Sequence, residues 1–260
     1  MAERNSSDQA IILTVKDQGE SNRNICILSE TKGIYYATLY GGAKSKMRAL
    51  VQPFNSGIIY IYSDETKHAK KITDFDVKNS HPTLRTNLYK MWAANLAAEI
   101  VLKTKAAGQD KNAFILLKAF LDGIDAVDEN SARTGTIRFL WRYIGLLGLQ
   151  PELHECSSCG HSLFSTSNEK SISASYSAIN NGFVCRECTP YMAENKITNL
   201  NYSLNLSALT YIASINELSP KEVRSIKIDK ESISQLNSLL FALMENAIGS
   251  KLKTLEMGIF

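Results

Sequence analysis

The chain has 260 residues, a hydrophobic content of 44% and a formal net charge of +3. These values are typical of a folded protein with one to three domains, and they exclude a disordered chain. A charge of +3 is too small by itself to indicate a nucleic-acid partner. We find no apolar run long enough to cross a bilayer and no export signal, so we predict a protein that is neither membrane-spanning nor exported.

Short strands with turn signals between them are the pattern of the first 80 residues. The predicted strands are residues 10–15, 24–29, 33–39, 57–62 and 71–77. Five strands in so short a segment predict a small closed or nearly closed barrel. The five-stranded OB fold, which binds oligonucleotides across one face, is the favoured prediction, and an SH3-like barrel is the alternative.

A basic and aromatic segment lies inside this predicted barrel. No acidic residue occurs between Glu30 and Asp64. The segment contains Lys32, Lys44, Lys46 and Arg48, together with Tyr35, Tyr36, Tyr40, Tyr60 and Tyr62. Cations that follow phosphates, and rings that stack on bases, are what a platform for single-stranded nucleic acid needs. The alternative is that these tyrosines are ordinary strand residues, half of them pointing inward.

Helical spacing of apolar residues begins after Pro82. A first helix is predicted, because Leu88, Met91, Trp92, Leu96 and Ile100 fall at helical spacing. We predict that Asp110 opens a second helix and that Ser131 caps a third. Arg138 and Arg142 lie four residues apart on this third helix, so we expect them on one solvent face. The tryptophans and phenylalanines of these helices are predicted core residues.

Two C-x-x-C pairs follow Pro151, which ends the third helix. Cys156 and Cys159 form the first pair, and Cys185 and Cys188 form the second, 25 residues further on. This spacing is typical of two metal knuckles that bring four thiolates to the corners of a tetrahedron, and it predicts one structural zinc ion per chain. The nearby His154 and His161 are not expected to bind the metal.

The remaining cysteine and the turn before the second pair have simpler interpretations. Cys26 lies in an apolar run and is predicted to be a small buried residue. Asn181-Gly182 predicts a hairpin turn that leads into Cys185, so the insert between the pairs should be a small β-ribbon.

Helices are predicted to resume after the ribbon. Ser207 is the candidate cap of one helix, and Asp229 opens the last one. The sequence Ser219-Pro220-Lys221-Glu222 has the residues of a capping box with a proline in the first turn. The last ten residues are expected to form a short tail.

Motifs of common enzyme classes are absent from the sequence. It has no Walker A loop, no G-x-G-x-x-G turn, no G-x-S-x-G elbow and no H-E-x-x-H helix. Binding is therefore favoured over catalysis. Two other hypotheses stay open: a zinc-ribbon adaptor that binds RNA or protein without annealing strands, and a thiol oxidoreductase that uses one C-x-x-C pair.

The order of these elements resembles the RecO family of bacterial recombination mediators. The stretches that carry the resemblance are residues 9–13, Gly19-Glu20-Ser21 with Arg23, Thr31-Lys32-Gly33, 41–48 with 50–54, 148–151 and 248–251. Members usually have a lysine or arginine just before the glycine of the basic segment, where this chain has Tyr40 followed by Gly41-Gly42. Whether a DNA contact there keeps its kind or becomes stacking on Tyr40 stays open.

The resemblance implies a fold, a function and a set of partners. It implies an OB-fold barrel in residues 1–80 and a helical domain in residues 81–260, with a zinc ribbon inserted at 152–192. It implies binding of single- and double-stranded DNA, annealing of strands coated with single-strand binding protein (SSB) and, together with RecR, loading of RecA. These activities need no covalent chemistry, so the protein is not expected to be an enzyme.

The resemblance also suggests where the ligands bind and where the protein acts. By the family pattern, Arg23, Lys32, Lys44, Lys46 and Arg48 are the expected phosphate contacts. The acidic C-terminal tail of SSB would need a cation beside an apolar groove, for which Arg138 is the candidate. The expected location is the bacterial cytoplasm, at the nucleoid.

Overall fold

The computed structural model describes residues 4–42, 45–106, 111–164, 173–190 and 202–259. Two sequence-predicted residues, Lys44 and Asp110, lie outside these ranges. Residue contacts divide the chain into two compact units, one of residues 1–132 with 252–260 and one of residues 133–251. Within the described ranges, none of the helices has the length and apolar content needed to span a bilayer.

Five β-strands form a closed barrel in the first unit. They are β1 (Asn5–Gln18), β2 (Asn22–Ser29), β3 (Gly33–Leu39), β4 (Ser56–Asp64) and β5 (Ala69–Asn79), with a short helix α1 (Lys46–Leu50) between β3 and β4. The strand order is β1-β2-β3-β5-β4, and β4 pairs with β1 to close the barrel. Only the β3–β5 pairing is parallel. The predicted five-stranded OB-type barrel is confirmed.

Alternation along the strands fills the barrel interior. On β3, Tyr35, Ala37 and Leu39 are buried, whereas Tyr36 is 59% exposed and Tyr40, just after the strand, is 51% exposed. The inward residues join isoleucines from the other strands in one apolar cluster, and full burial of one leucine or isoleucine side chain stabilises the fold by roughly 1.5–3 kcal/mol. The segment therefore contains an inward-facing tyrosine, which belongs to the barrel core, and outward-facing tyrosines, whose rings are open to a ligand.

A glycine is required where β4 meets β5. A Cβ atom on Gly57 would lie 2.0 Å from the backbone oxygen of Asp76, which no side chain tolerates. The register of the two strands shifts between Ser56 and Gly57, so this close approach belongs to a β-bulge. Bulges increase strand twist and help a short sheet to close on itself.

The helices of the first unit follow the barrel directly. A 3₁₀ turn (Pro82–Arg85) leads to α2 (Leu88–Lys103), and α3 (Lys111–Asp125) precedes α4 (Glu129–Leu146). Trp92, Phe114 and Phe120 are buried, as predicted. Leu88, however, is 70% exposed, although it belongs to the same apolar spacing. Asn87 caps α2, which makes Leu88 the first helical residue and turns it to solvent.

The cap predicted for the third long helix is wrong. The carboxylate of Asp128 accepts a hydrogen bond from the backbone N–H of Ser131 at 3.0 Å. Ser131 therefore lies in the first turn of α4, and Asp128 takes the capping position. Both residues are common caps, and the sequence alone did not distinguish them.

A buried histidine joins the barrel to α3. One ring nitrogen of His81 lies 2.7 Å from the backbone oxygen of Phe54, and the other lies 2.7 Å from the carboxylate of Asp122. Lys118 and Asn79 also donate hydrogen bonds to Asp122. This network ties the end of β5 to the helix that packs beside it.

The C-terminal residues do not form a free tail. A 3₁₀ turn (Lys253–Met257) buries Leu252 completely, and the indole N–H of Trp92 donates to the Thr254 oxygen at 2.9 Å. The Glu99 carboxylate accepts from the backbone N–H groups of Lys253 and Thr254, both at 2.9 Å. The expected tail is thus part of the first unit, because α2 supplies partners for its polar groups.

Within the described residues, the second unit contains most of α4, a small sheet and three further helices. Strands β6 (Ser173–Ser177), β7 (Gly182–Cys185) and β8 (Ser203–Asn205) pair in the order β7-β6-β8, and helices α5 (Leu206–Glu217), α6 (Pro220–Ser225) and α7 (Lys230–Ile248) follow. The capping box at Ser219 and Glu222 and the Asp229 cap are confirmed. The Ser207 cap is wrong, because Asn205 accepts the capping hydrogen bond of α5.

Candidate nucleic-acid interface and metal centre

One end of the barrel gathers several predicted DNA-binding residues. Arg23 near the start of β2 pairs with Leu39 at the end of β3, which places it close to Tyr40. Arg48 of α1 reaches the same end, because its guanidinium donates to the backbone oxygens of Gly41 and Ser21, both at 3.1 Å. The β1–β2 turn, the end of β3 and α1 thus meet here.

The cations at this end differ in how free they are. Arg23 is only 21% exposed at its side chain and forms an ion pair with Asp17 at 3.2 Å. Arg48 is half-buried and holds two loops through its hydrogen bonds. Lys46 is exposed on α1. Among the described cations of the predicted set at this end, Lys46 is therefore the one most open to a phosphate.

Lys32 does not belong to this group. It lies in the turn between β2 and β3, beside the Ser29–Gly33 pair, whereas Arg23 lies at the other end of the same two strands. Six residues of strand separate the two ends, which is about 20 Å. The ammonium of Lys32 donates to the Ser6 hydroxyl at 2.9 Å. A ligand would have to extend along the barrel to touch both ends.

Two lysines that the sequence analysis did not select lie beside the tyrosines. Lys71 of β5 pairs with Thr38 of β3, and its ammonium lies 5.5 Å from the centre of the Tyr40 ring. The ammonium of Lys70 lies 4.6 Å from the centre of the Tyr35 ring. Both are cation–π distances. The acid-free segment ends at Asp64 and so excluded both lysines, and only the parallel pairing of β3 with β5 places them here.

Other parts of the barrel surface are less suited to an anion. Ile11, Cys26 and Leu28 alternate with the inward residues of β1 and β2, yet they are at most 1% exposed, so the middle part of the outer side of these strands is covered. Cys26 is thus the predicted buried residue. Tyr60 on β4 is 40% exposed, but it pairs with the exposed Asp74. The open surface that combines rings with cations is the β3–β5 side.

The four cysteines of the ribbon converge in the second unit. The Sγ atoms of Cys156, Cys159, Cys185 and Cys188 all lie within 4.8 Å of one another, and those of Cys159 and Cys185 are 3.9 Å apart. Tetrahedral zinc with Zn–S bonds of about 2.3 Å places its sulfur ligands about 3.8 Å apart. The four thiols therefore fit one tetrahedral ion.

Backbone geometry forms the two knuckles. Gly160 has the left-handed φ of 73° and donates to the Cys156 oxygen at 2.9 Å, which turns the chain back after the first pair. The N–H of Cys188 donates to the Cys185 oxygen at 3.1 Å in the second pair. The predicted ribbon is present as β6 and β7, and Asn181 takes a left-handed φ of 44° in the turn between them.

Gly182 has a separate reason to be glycine. A Cβ on it would lie 3.1 Å from the Cβ of Ser157. Asn181 supplies the left-handed conformation of the turn, and a side chain at residue 182 would crowd Ser157 in the first knuckle.

The electrostatics of the cluster favour a cation among the thiols. Burial raises the pKa of the Cys156 thiol, but backbone N–H groups of Cys185, Cys159 and Ser158 outweigh it and lower the pKa to about 7. Burial and the neighbouring Cys156 raise the pKa of Cys185 to about 12. A single thiolate thus makes its neighbours harder to ionise, and a metal ion removes this repulsion.

Arginines converge elsewhere in the second unit. The Arg138 guanidinium donates to the Tyr211 hydroxyl at 2.8 Å and to the Thr134 hydroxyl at 3.2 Å. Arg138 and Arg142 are each half-buried, so the predicted solvent face is only partly open to water. Burial, with the positive charges of Arg138 and Arg224, lowers the pKa of Arg142. Among the ion pairs of the described residues, none involves these three arginines.

The fold and the sites define a class of protein: an OB-type barrel with a basic, aromatic side, followed by a helical region with a four-cysteine cluster. Comparison with known families identifies this class further. The family model described as Recombination protein O N terminal matches residues 1–81, and the one described as Recombination protein O C terminal matches residues 85–256. The chain therefore belongs to the RecO family of DNA repair proteins.

Relatives of similar length support this assignment. The DNA repair protein RecO of Oceanobacillus iheyensis is 24% identical over 246 residues, which cover 94% of this chain and 89% of that protein. The DNA repair protein RecO of Desulforamulus reducens is 25% identical over 250 residues, which cover 95% of this chain and 91% of that protein. A third, from Solidesulfovibrio magneticus, is 29% identical over 160 residues.

Proposed function

We propose that this protein binds single- and double-stranded DNA, anneals complementary strands coated with SSB and, together with RecR, helps to load RecA onto them. The observation that carries the proposal is the open β3–β5 side of an OB-type barrel in a member of a DNA repair family. The proposed place of action is the cytoplasm, at the nucleoid.

Annealing requires a surface that screens phosphate charge without holding bases in a fixed order. Two strands repel each other through their phosphates, and cations that neutralise both backbones lower this repulsion. Arg23, Lys46 and Arg48 at one end of the barrel and Lys32 at the other are suited to two separate stretches of backbone. We include Lys44 among these contacts because of its place in the sequence. No covalent step is part of this function.

The metal site has a structural part in this proposal. Cys156, Cys159, Cys185 and Cys188 would hold one zinc ion, which would supply the charge that lets four thiolates lie together. All four positions of a tetrahedron would then be taken, so no open position is left for a reacting water. We propose that the zinc ion holds the 152–192 insertion together. This insertion would lie within a helical domain of residues 81–260 that follows the 1–80 barrel.

The arginines around Tyr211 are the proposed site for the acidic C-terminal tail of SSB. Half-buried cations without a carboxylate partner attract an acidic peptide more strongly than solvated ones do, because the lower dielectric strengthens the interaction. The guanidinium of Arg138 is already oriented by the Tyr211 hydroxyl. The half-buried Arg142 and the exposed Arg224 add positive charge at the same place.

Strand annealing tests the central proposal. Labelled complementary oligonucleotides coated with the SSB of the same organism are mixed with and without the full chain, and pairing is followed by energy transfer. We expect a faster rate with the protein and a loss of this acceleration at high salt, because phosphate contacts are screened. No acceleration over the protein-free rate would contradict the mediator function and favour an adaptor.

Metal analysis tests the proposed structural zinc site. We expect one tightly bound zinc per chain and four thiols that react with a thiol reagent only after a chelator is added. A metal-free protein whose cysteine pairs cycle between dithiol and disulfide would instead support a thiol oxidoreductase.

A further inference from the structure

The parallel seam between β3 and β5 carries a distinct outward patch. Tyr36 and Tyr40 follow the same alternation as the strand, so both rings point away from the buried Tyr35, Ala37 and Leu39. Both rings are more than half exposed. Lys71 lies beside them, paired with Thr38 between the two tyrosines. We name Tyr36, Thr38, Tyr40 and Lys71 the seam patch.

The geometry of the seam patch matches unpaired bases. Four residues of extended chain separate the two tyrosines, which is about 13 Å, so each ring meets a different base. Ring faces stack on any base that is not already inside a duplex. The Lys71 ammonium, 5.5 Å from the Tyr40 ring centre, makes a cation–π contact with that ring and would lie near the phosphate of a strand stacked on it.

The barrel also contains its own contrast to this patch. Tyr60 is 40% exposed on β4, but its strand neighbour is Asp74, and Asp76 follows on the same side. Asp76 forms an ion pair with Lys78 at 2.7 Å, so Asp74 leaves this side of the barrel with a net negative charge that repels phosphates. Two exposed rings and a lysine occur together where the end of β3 meets the start of β5.

From these observations we infer that the seam patch is a stacking site for single-stranded DNA and that it makes the barrel distinguish unpaired strands from duplex. The inference rests on the proposed DNA binding and assigns it a strand preference. Phosphate contacts serve both forms of DNA, because both expose their backbones. The two tyrosines serve only the form whose bases are free.

Binding of matched oligonucleotides to full-chain variants tests this inference. The variants are Y36L, Y40L, Y40F, K71M and the control Y60L, and circular dichroism verifies that each is folded. Fluorescence anisotropy measures Kd for a labelled thymidine oligonucleotide and for a labelled duplex of the same length, at one fixed salt concentration. Salt titrations are added for K71M.

The expected pattern separates stacking from charge. Y36L and Y40L should each weaken single-strand binding by about 5- to 100-fold and change duplex binding by less than about twofold. Y40F and Y60L should stay within about twofold of the unchanged protein for both ligands. K71M should reduce the salt slope for the single strand by about 0.7 log units, as expected for one lost phosphate contact.

Two results would overturn the inference. Equal losses for single strand and duplex in Y36L and Y40L would mean that the rings support the fold or a shared contact. Unchanged single-strand binding in both variants would remove the stacking site, while binding by the unchanged protein would leave the proposed function intact. An unchanged protein that binds neither ligand would refute the proposed function as well.

Discussion

Replacing Arg48 by methionine separates two parts that this side chain can play. Its guanidinium donates to the Gly41 and Ser21 oxygens at 3.1 Å, so it joins two loops at one end of the barrel. A hydrogen bond from a charged donor contributes about 1.5–3 kcal/mol, and partial exposure reduces this to about 1 kcal/mol for each bond. R48M should therefore lower the free energy of unfolding by about 2 kcal/mol.

Calorimetry of the full chain measures this loss. For a compact unit of this size, about 2 kcal/mol corresponds to a fall in Tm of about 6 °C. K46M is the matched control, because Lys46 is exposed on the same short helix. It should leave Tm within about 1 °C and reduce the salt slope of duplex binding by up to about 0.9 log units. An R48M protein with unchanged Tm and a K46M-like binding defect would refute the joining of loops by Arg48.

Three further changes have expected outcomes. C185A should lose the bound metal and make the ribbon sensitive to protease, while Kd for DNA stays within about twofold; retained metal would contradict the four-thiol site. Burial raises the pKa of Glu99, but hydrogen bonds from Thr254 and the Lys253 N–H outweigh it and hold the pKa below its ordinary value. The resulting stability is present at neutral pH and is lost as pH falls through the pKa of the folded state. E99Q should therefore lower the free energy of unfolding by about 1 kcal/mol at neutral pH, and the difference should narrow in acid, as urea denaturation would reveal. R138M should slow annealing of SSB-coated strands but not of bare strands, and equal slowing of both would argue against a tail site.

Sequence patterns predicted the barrel because buried and exposed residues alternate along each of its strands. Tyr35 and Tyr36 have opposite environments for the simple reason that successive strand residues face opposite sides. The four cysteines were equally readable, since the bite of each C-x-x-C pair is a local property. In both cases the determining interactions lie within a few residues or repeat regularly.

Features that depend on distant partners could not be predicted in this way. The three residues of β8 become a strand only by pairing with β6, about 30 residues earlier. Lys71 joins Tyr40 through a parallel pairing that no local signal reveals. The C-terminal turn looked like a tail because its partner Glu99 lies more than 150 residues away. Cap positions failed for a different reason, since Asp128 and Ser131 compete on nearly equal terms.

The barrel is closed on its parallel side by one residue pair, Thr38 with Lys71, whereas every other junction has a long antiparallel ladder. Amide protons along this junction should therefore exchange with solvent sooner than those of the ladders, because little has to open to release them. A DNA strand bound across the β3–β5 junction would stabilise the junction that has the fewest paired residues. Bound DNA would then slow the exchange of amide protons in both β3 and β5. Binding of DNA would thus make the barrel itself more rigid.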